Sequence, residues 1–374
     1  MTIPQRSGPA AERSVQKIGE LYELTRRRLF PKGLWGLFYA HRTTDEFQFG
    51  GFAIPPLGLE IEHRFAVNGV SARLGEGQPN PVVDLLAKRF GLAPPYTRYA
   101  FHGSVPLVRL GAAEDFQIEY RDRSGAALNL FHNWWVPTRR GTVAATAQRV
   151  RVAATTDPEI FHTMGYSAFR MLEQVLSRYF GRGYGDCARI LDWGCGCGRV
   201  ARFFTEVYPG KLTGIDIDPD NIGWCAANLS GGAFQVCGLN PPTMLPNESY
   251  DFIYGISVFT HLGPEDQFAW LAELARLARP GAAILVSVHG TVAFCRADSD
   301  LHRFLSFHRD GFFNYSRCPD LDDVLPEMVT SGYYKNVFHT ARYVHENWSG
   351  SFEILTILEA AMGAHQDLVV MRRR

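Results

Sequence analysis

The stretch "ARILDWGCGCGRVARFF", residues 188–204, decides the fold. A short apolar run ends at Asp192-Trp193. Glycines follow at 194, 196 and 198, alternating with Cys195 and Cys197, and a second apolar run begins at Val200. This is the pattern of a strand, a tight turn and a helix. Glycines in such a turn permit positive φ and let a ligand approach the main chain closely. Three readings compete: a nucleotide cradle, a metal or redox Cys-x-Cys site, and a plain connecting turn. A single C-x-C offers two of the roughly four ligands that zinc takes, and no second Cys/His pair stands at zinc spacing. The expectation is no metal, with the two thiols tolerated as small side chains. A dinucleotide fingerprint would read G-x-G-x-x-G here. The third glycine comes one residue early, Arg199 stands in its place, and no Gly-Lys-Ser/Thr follows. A compact adenosine-bearing ligand with an amino-acid tail fits the turn as well as a pyrophosphate does.

Outward from the turn, strands and helices alternate. A helix over 158–180 starts at "DPEI" with Asp157 as its N-cap, and "ARILDW" is the first strand. A helix through "RVARFFTEV" leads to the strand "KLTGIDI". Asp218-Pro219 opens a helix over 219–228. "AFQVCG", "YDFIYGIS" and "AAILVSVHG" are further strands, with the periodic helix "PEDQFAWLAELARLA" before the last. Strands apolar on both faces and separated by helices predict a parallel sheet covered on both sides. Ligands of such sheets bind beyond the carboxyl ends of the strands. Asp216 ends the second strand, 24 residues after Asp192. A carboxylate there can accept both hydroxyls of a ribose. Beyond the fifth strand, 290–318 reads as a long aromatic, His-rich segment and a candidate substrate lid. A helix near 319–331, a strand "YYKNVFHTARYV", a helix after "NWSGS" and a closing strand "HQDLVVMRRR" complete the chain.

The segments "ILDWGCGCGRVAR", "TGIDIDPDNIGWC", "LPNESYDFIYGISVFTHL" and "LARLARPGAAILVSVHG" occur in that order. Together they resemble the class I S-adenosylmethionine-dependent methyltransferases over about residues 155–374. The resemblance implies a Rossmann-like, doubly wound, mostly parallel sheet of seven strands, with "HQDLVVMRRR" as the antiparallel seventh. It implies S-adenosyl-L-methionine as cofactor. Asp192, Gly194, Cys195, Gly196 and Gly198 would wrap the methionine portion. Asp216 and Ile217 would hold the ribose, Gly238 and Leu239 would flank the adenine, and Ser257 would lie under the sulfonium. The tip of the third strand often carries Asp in that family and is Cys237-Gly238 here. His261, in "SVFTHL" after the fourth strand, and His289, at the tip of the fifth, are candidate general bases. An imidazole with a pKa near ~6.5 suits removal of a hydroxyl proton at neutral pH.

Residues 1–150 lie outside the resemblance. Residues 10–30 read as an amphipathic helix within an N-terminal segment 1–40. Short alternating runs such as "LEIEHRFAV" and "FQIEYRD" point to a β-rich accessory domain over 41–150, sandwich-like in texture, before a methyltransferase domain over 151–374. Trp134-Trp135 read as packing residues.

The composition agrees with a globular chain of 374 residues: 46% hydrophobic, 20% charged and formally neutral. Neutrality gives no electrostatic argument for nucleic acid, although the first 42 residues carry eight Lys/Arg against three Glu. No apolar run is long enough to span a bilayer. Five of seven cysteines lie between 187 and 237, which suits reduced thiols and a cytoplasmic setting. The expected reaction is methyl transfer to a hydroxyl of a small metabolite or glycan. N- or S-methylation of a small molecule and a catalytically silent cofactor-binding protein are the alternatives. A homo-dimer stays open.

Overall fold

The computed structural model describes residues 33–54, 62–90, 92, 94–121, 124–125, 133–139, 141–298, 300–315 and 335–374. The helices expected at 10–30 and 319–331 lie outside these residues.

The N-terminal part is all antiparallel. Strands β1 (Leu34–Arg42), β2 (Glu46–Ile54), β6 (Ala100–Pro106) and β5 (Arg73–Glu76) form one four-stranded sheet in that order. Strands β4 (Val70–Ser71), β3 (Phe65–Val67), β7 (Asp115–Tyr120) and β8 (Trp134–Pro137) form a second. Inward-facing residues of both sheets meet in one aromatic core. Phe47 packs on Phe116 with ring centres 4.6 Å apart, and Phe65 packs on Phe101 at 4.2 Å. Helix α1 (Pro81–Arg89) is capped by Asn80, whose side chain accepts from the Val82 and Val83 N–H groups.

The C-terminal part is built on a seven-stranded sheet. Its members are β9 (Ile190–Trp193), β10 (Leu212–Asp216), β11 (Gly232–Val236), β12 (Tyr250–Gly255), β13 (Ala278–Val288), β16 (Phe352–Met362) and β17 (Gln366–Arg373). Their order is β11-β10-β9-β12-β13-β17-β16, and β17 is antiparallel to both neighbours. The order reverses between β9 and β12, where an open α/β sheet leaves a crevice at its carboxyl edge. Helices cover both faces: α2 (Thr146–Ala153), α3 (Pro158–Phe180), α4 (Ala201–Val207), α5 (Pro219–Asn228) and α6 (Pro264–Leu277). Alternate strand residues feed opposite cores. Ile190, Phe252, Tyr254 and Leu285 pack against α3 and α4, whereas Leu191, Ile253, Ile284 and Val286 pack against α6.

Local chemistry sets these boundaries. The Asp157 carboxylate accepts from the N–H groups of Glu159 (2.8 Å) and Ile160 (3.3 Å), Pro158 stands at N1, and Gly181 closes α3 in the left-handed region. Asp218 does the same for α5.

Three expectations are corrected. The segment 352–362, expected as a helix, is strand β16. Ladder pairing with β17, across a turn with Gly363 at φ +63° and Ala364 at φ +56°, outweighs the helical propensity of its Leu, Glu and Ala residues. Of "YYKNVFHTARYV", only Asn336–His339 is a strand (β15). It pairs with β14 (Phe312–Tyr315) in a separate ribbon. Thr340 then caps helix α9 (Ala341–Trp348), which drives Val344 and Trp348 into the core. The long segment from 290 holds helices α7 (Thr291–Ala297) and α8 (Leu301–Asp310). Its Phe294 and Phe307 stack at 4.8 Å beside Phe338 in a small core of their own. Aromatic side chains read as a lid are thus packing residues.

The two parts share cores. Trp135 of β8 is buried among α3 residues, and its N–H and C=O both bond the Ser167 hydroxyl at 2.9 Å. Leu34, Phe52 and α1 join Val292 and Cys295 of α7 and Ala360 of β16.

Candidate active site

The turn after β9 is held open by its glycines. Gly194, Gly196 and Gly198 have φ of +73°, +52° and +73°. A Cβ on Gly194 would lie 2.4 Å from Val258 Cγ2, and one on Gly198 would lie 2.6 Å from Leu229 Cδ1. Side chains there would be strained and would collide with the fourth-strand loop or α5.

Two carboxylates meet this turn. Asp216 Oδ2 accepts from the Gly196 N–H at 2.7 Å and Oδ1 from the Asp218 N–H at 2.9 Å. Burial pushes its pKa up, and those two N–H groups oppose the shift. Asp192 is buried, and its Oδ2 accepts from the Tyr254 hydroxyl at 2.7 Å. Burial raises its pKa to about 7, and the Tyr254 bond opposes this.

The turn, both carboxylates and the ends of β10 and β12 enclose a cleft of about 1110 Å³ that opens to solvent. Of the residues named from the sequence, Asp192, Gly194, Cys195, Gly196, Asp216, Ile217, Leu239, Ser257 and His261 line it. Gly198 and Gly238 are outside that lining. Gly198 instead lets the turn sit against Leu229 and Cys225 of α5. Ser257 takes φ +65°, a strained value for a non-glycine residue. A hydrogen-bonded group fixes it: its N–H donates to Ser287 Oγ (2.7 Å), and its hydroxyl pairs with Gln366.

The two histidines part company. His261 lines the cleft and bonds the Lys335 carbonyl through Nδ1 at 3.1 Å, so Nδ1 carries the proton and Nε2 the lone pair. Burial lowers its pKa and keeps it neutral at pH 7. His289 lies behind it, with ring centres 6.4 Å from His261 and 5.0 Å from His365. It lines neither this cleft nor the one beside it.

Burial pushes Cys197 and Cys237 up to about 12, and the described cysteines are unpaired. Among the described residues no group of three or more His, Cys, Asp or Glu could hold a metal ion.

Several cleft residues escape a reading of the sequence. Tyr254 meets Asp192 only because β12 pairs with β9. Arg151 of α2 reaches Asp218 at 2.9 Å from before the sheet begins. Asn221 buries an Oδ1 without a partner among the described residues. Arg199, read from sequence only as a missing glycine, lines the cleft and a neighbouring cavity. No described helix is long and apolar enough to cross a membrane.

Residues 190–281 match the family model described as a methyltransferase domain. Trans-aconitate 2-methyltransferase of Streptomyces avermitilis is 32% identical over 127 residues, covering 32% of this chain and 44% of that protein. O-methyltransferase resE of Aspergillus sclerotiorum is 29% identical over 161 residues (41% and 59%). A tRNA N(3)-cytidine methyltransferase of Gallus gallus is 28% identical over 112 residues (27% and 30%). The chain thus spans less than two thirds of the length of these relatives. Among solved structures, the 1,6-didemethyltoxoflavin-N1-methyltransferase of Burkholderia thailandensis is 17% identical, with a TM-score of 0.39, covering 64% of this chain and 95% of that one. With this sheet order, this glycine turn and a methyltransferase-domain match over residues 190–281, the C-terminal part of the chain is similar to the class I S-adenosylmethionine-dependent methyltransferases.

Proposed function

We propose that this protein transfers a methyl group from S-adenosyl-L-methionine to a hydroxyl of a small metabolite or glycan. One observation carries the cofactor's place. A glycine turn in the left-handed region faces one buried and one half-buried carboxylate at the strand ends, on the reversal of strand order. The donor set fits an adenosine with a cationic amino-acid tail. Asp216 keeps lone pairs beyond its two backbone bonds, enough to accept ribose hydroxyls. Ile217 packs beside it. Asp192 offers negative charge near Gly194, Cys195 and Gly196, where a methionine ammonium group would bind. Leu239 and the Cys237-Gly238 turn flank the adenine end, and Gly198 seats the turn on α5. Ser257 stands below the reacting end.

The bound cofactor supplies an electrophilic methyl group and its own leaving group. The chain aligns the acceptor, excludes water and takes up one proton. His261 is the base, since its lone pair is on Nε2 and burial keeps it neutral. His289 stands one ring further back, edge-on to His261. The O-methyltransferase relative supports a hydroxyl acceptor, and the cytoplasm is the proposed setting. The test is a screen of hydroxylated metabolites, sugars and a tRNA transcript, read as S-adenosylhomocysteine released. Turnover on a hydroxyl, reduced by about 100-fold or more in His261→Gln, is expected for a general base. Turnover on tRNA alone, or unchanged turnover in His261→Gln, contradicts the reading.

A further inference from the structure

A second cavity of about 760 Å³ adjoins the cleft, and both share Arg199, Ile256 and Ser257. Its walls come from three sources. The N-terminal sheets contribute Trp35 and Trp134, α3 contributes Met164, Ala168 and Met171, and the β16–β17 turn contributes Met362 to Gln366. Tryptophan and methionine give flat and adaptable apolar walls, suited to a ring system. Most polar groups there are already engaged: Ser167 holds Trp135, and Gln366 holds Ser257 and Ser287. Arg199 and His365 are not: His365 buries Nδ1 without a hydrogen-bond partner among the described residues. The Arg199 guanidinium makes no hydrogen bond or ion pair among the described residues; burial lowers its pKa, and the charge of Asp192 in the adjoining cleft opposes this. A half-buried guanidinium gains from a directly bonded anion, and a carboxylate meets it in a bidentate fork.

Resting on the methyltransferase reading above, we infer that this second cavity is the acceptor site and takes a flat, mainly apolar acceptor bearing a carboxylate. The ring lies between the tryptophans and α3, and the carboxylate meets Arg199 at the throat. The reacting hydroxyl then points past Ile256 and Ser257 into the cleft, on the side of His261. The N-terminal sheets are on this account part of the enzyme's specificity, since they supply one wall. A hydroxyl ortho to the carboxylate sits closest to that throat.

The test uses the full chain saturated with S-adenosylhomocysteine and two probes, 3-hydroxy-2-naphthoate and its carboxamide, with binding read by calorimetry. Wild type is expected to bind the carboxylate about tenfold or more tighter than the amide, as a charged hydrogen bond warrants. Ala168→Phe and Met164→Trp fill the second cavity, and each should abolish probe binding while S-adenosylhomocysteine still binds. Arg199→Gln should bring the carboxylate-to-amide ratio to about one. That ratio is insensitive to any general loss of fold or cofactor affinity, and so separates an acceptor carboxylate from the cofactor's own. The inference is overturned if neither probe binds the loaded wild type at millimolar concentration. It is also overturned if both filling variants bind the probes as wild type does, or if the ratio survives in Arg199→Gln. Failure of S-adenosylhomocysteine to bind the wild type would instead overturn the function proposed above, a separate outcome.

Discussion

The two parts of this molecule solve the same packing problem in opposite ways. The N-terminal sheets are antiparallel, with Phe47, Phe65 and Phe116 filling the space between two pleated faces. The C-terminal sheet is parallel over most of its width, apolar on both faces, and clothed by helices. A parallel sheet sends every connection out at the same edge, so turns, caps and polar strand ends collect there. Asp192, Asp216, Ser257 and His261 are gathered that way. An antiparallel unit has no such edge. Its contribution is a wall, through Trp35 and Trp134, and an anchor, through Trp135.

The largest effect should come from breaking the anchor. Trp135→Ala removes a buried indole from the α3 core and is expected to cost about 3–5 kcal/mol. If the shared cores make the two parts one cooperative unit, calorimetric unfolding stays a single transition at lower Tm. Two separated transitions would show that the parts fold independently. The glycine turn comes next. Gly194→Ala places a Cβ 2.4 Å from Val258 at φ +73°, so about 1–3 kcal/mol of strain is expected. S-adenosylhomocysteine affinity should fall with it, which titration calorimetry measures.

A third test concerns charge, which only the C-terminal part buries in its site. Burial raises both Asp192 and Asp367 to about 7, above the usual carboxylate value. The sign follows from the raised folded value. Their favourable contribution is full below the unfolded pKa of ~3.9 and is lost as pH rises through about 7. Buried histidines such as His162, His339 and His365, whose pKa values burial lowers, push the other way, so the test is differential: ligand-free Asp192→Asn should gain Tm relative to wild type between pH 5 and pH 8. A difference that stays constant over that range would show that Asp192 ionises normally. The smallest effect is expected at the thiols. With Cys197 pushed up to about 12, iodoacetamide at pH 8 should leave it unlabelled in native protein, as mass spectrometry of tryptic peptides would show.

The contrast also explains what the sequence discloses. Helices α3 and α5 are written locally, in Asp157-Pro158 and Asp218-Pro219. The strands between them are apolar runs bounded by turns, and the glycine turn marks the site itself. What stays hidden depends on partners distant in sequence. Strand β16 looks helical until β17 is laid beside it. The segment after β13 looks like a lid until Phe294 meets Phe338. Tyr254 and Arg151 join the cleft through pairing and packing that no local pattern encodes. Arg199 is visible in the sequence, but its place between two cavities is not.

The most direct test of the central claim is titration calorimetry of S-adenosylmethionine and of NAD against wild type and Asp216→Ala. The account predicts binding of S-adenosylmethionine and none of NAD. It also predicts about a 100-fold loss in Asp216→Ala, the worth of two charged hydrogen bonds to ribose. Binding of NAD, or equal S-adenosylmethionine affinity in wild type and Asp216→Ala, would contradict it.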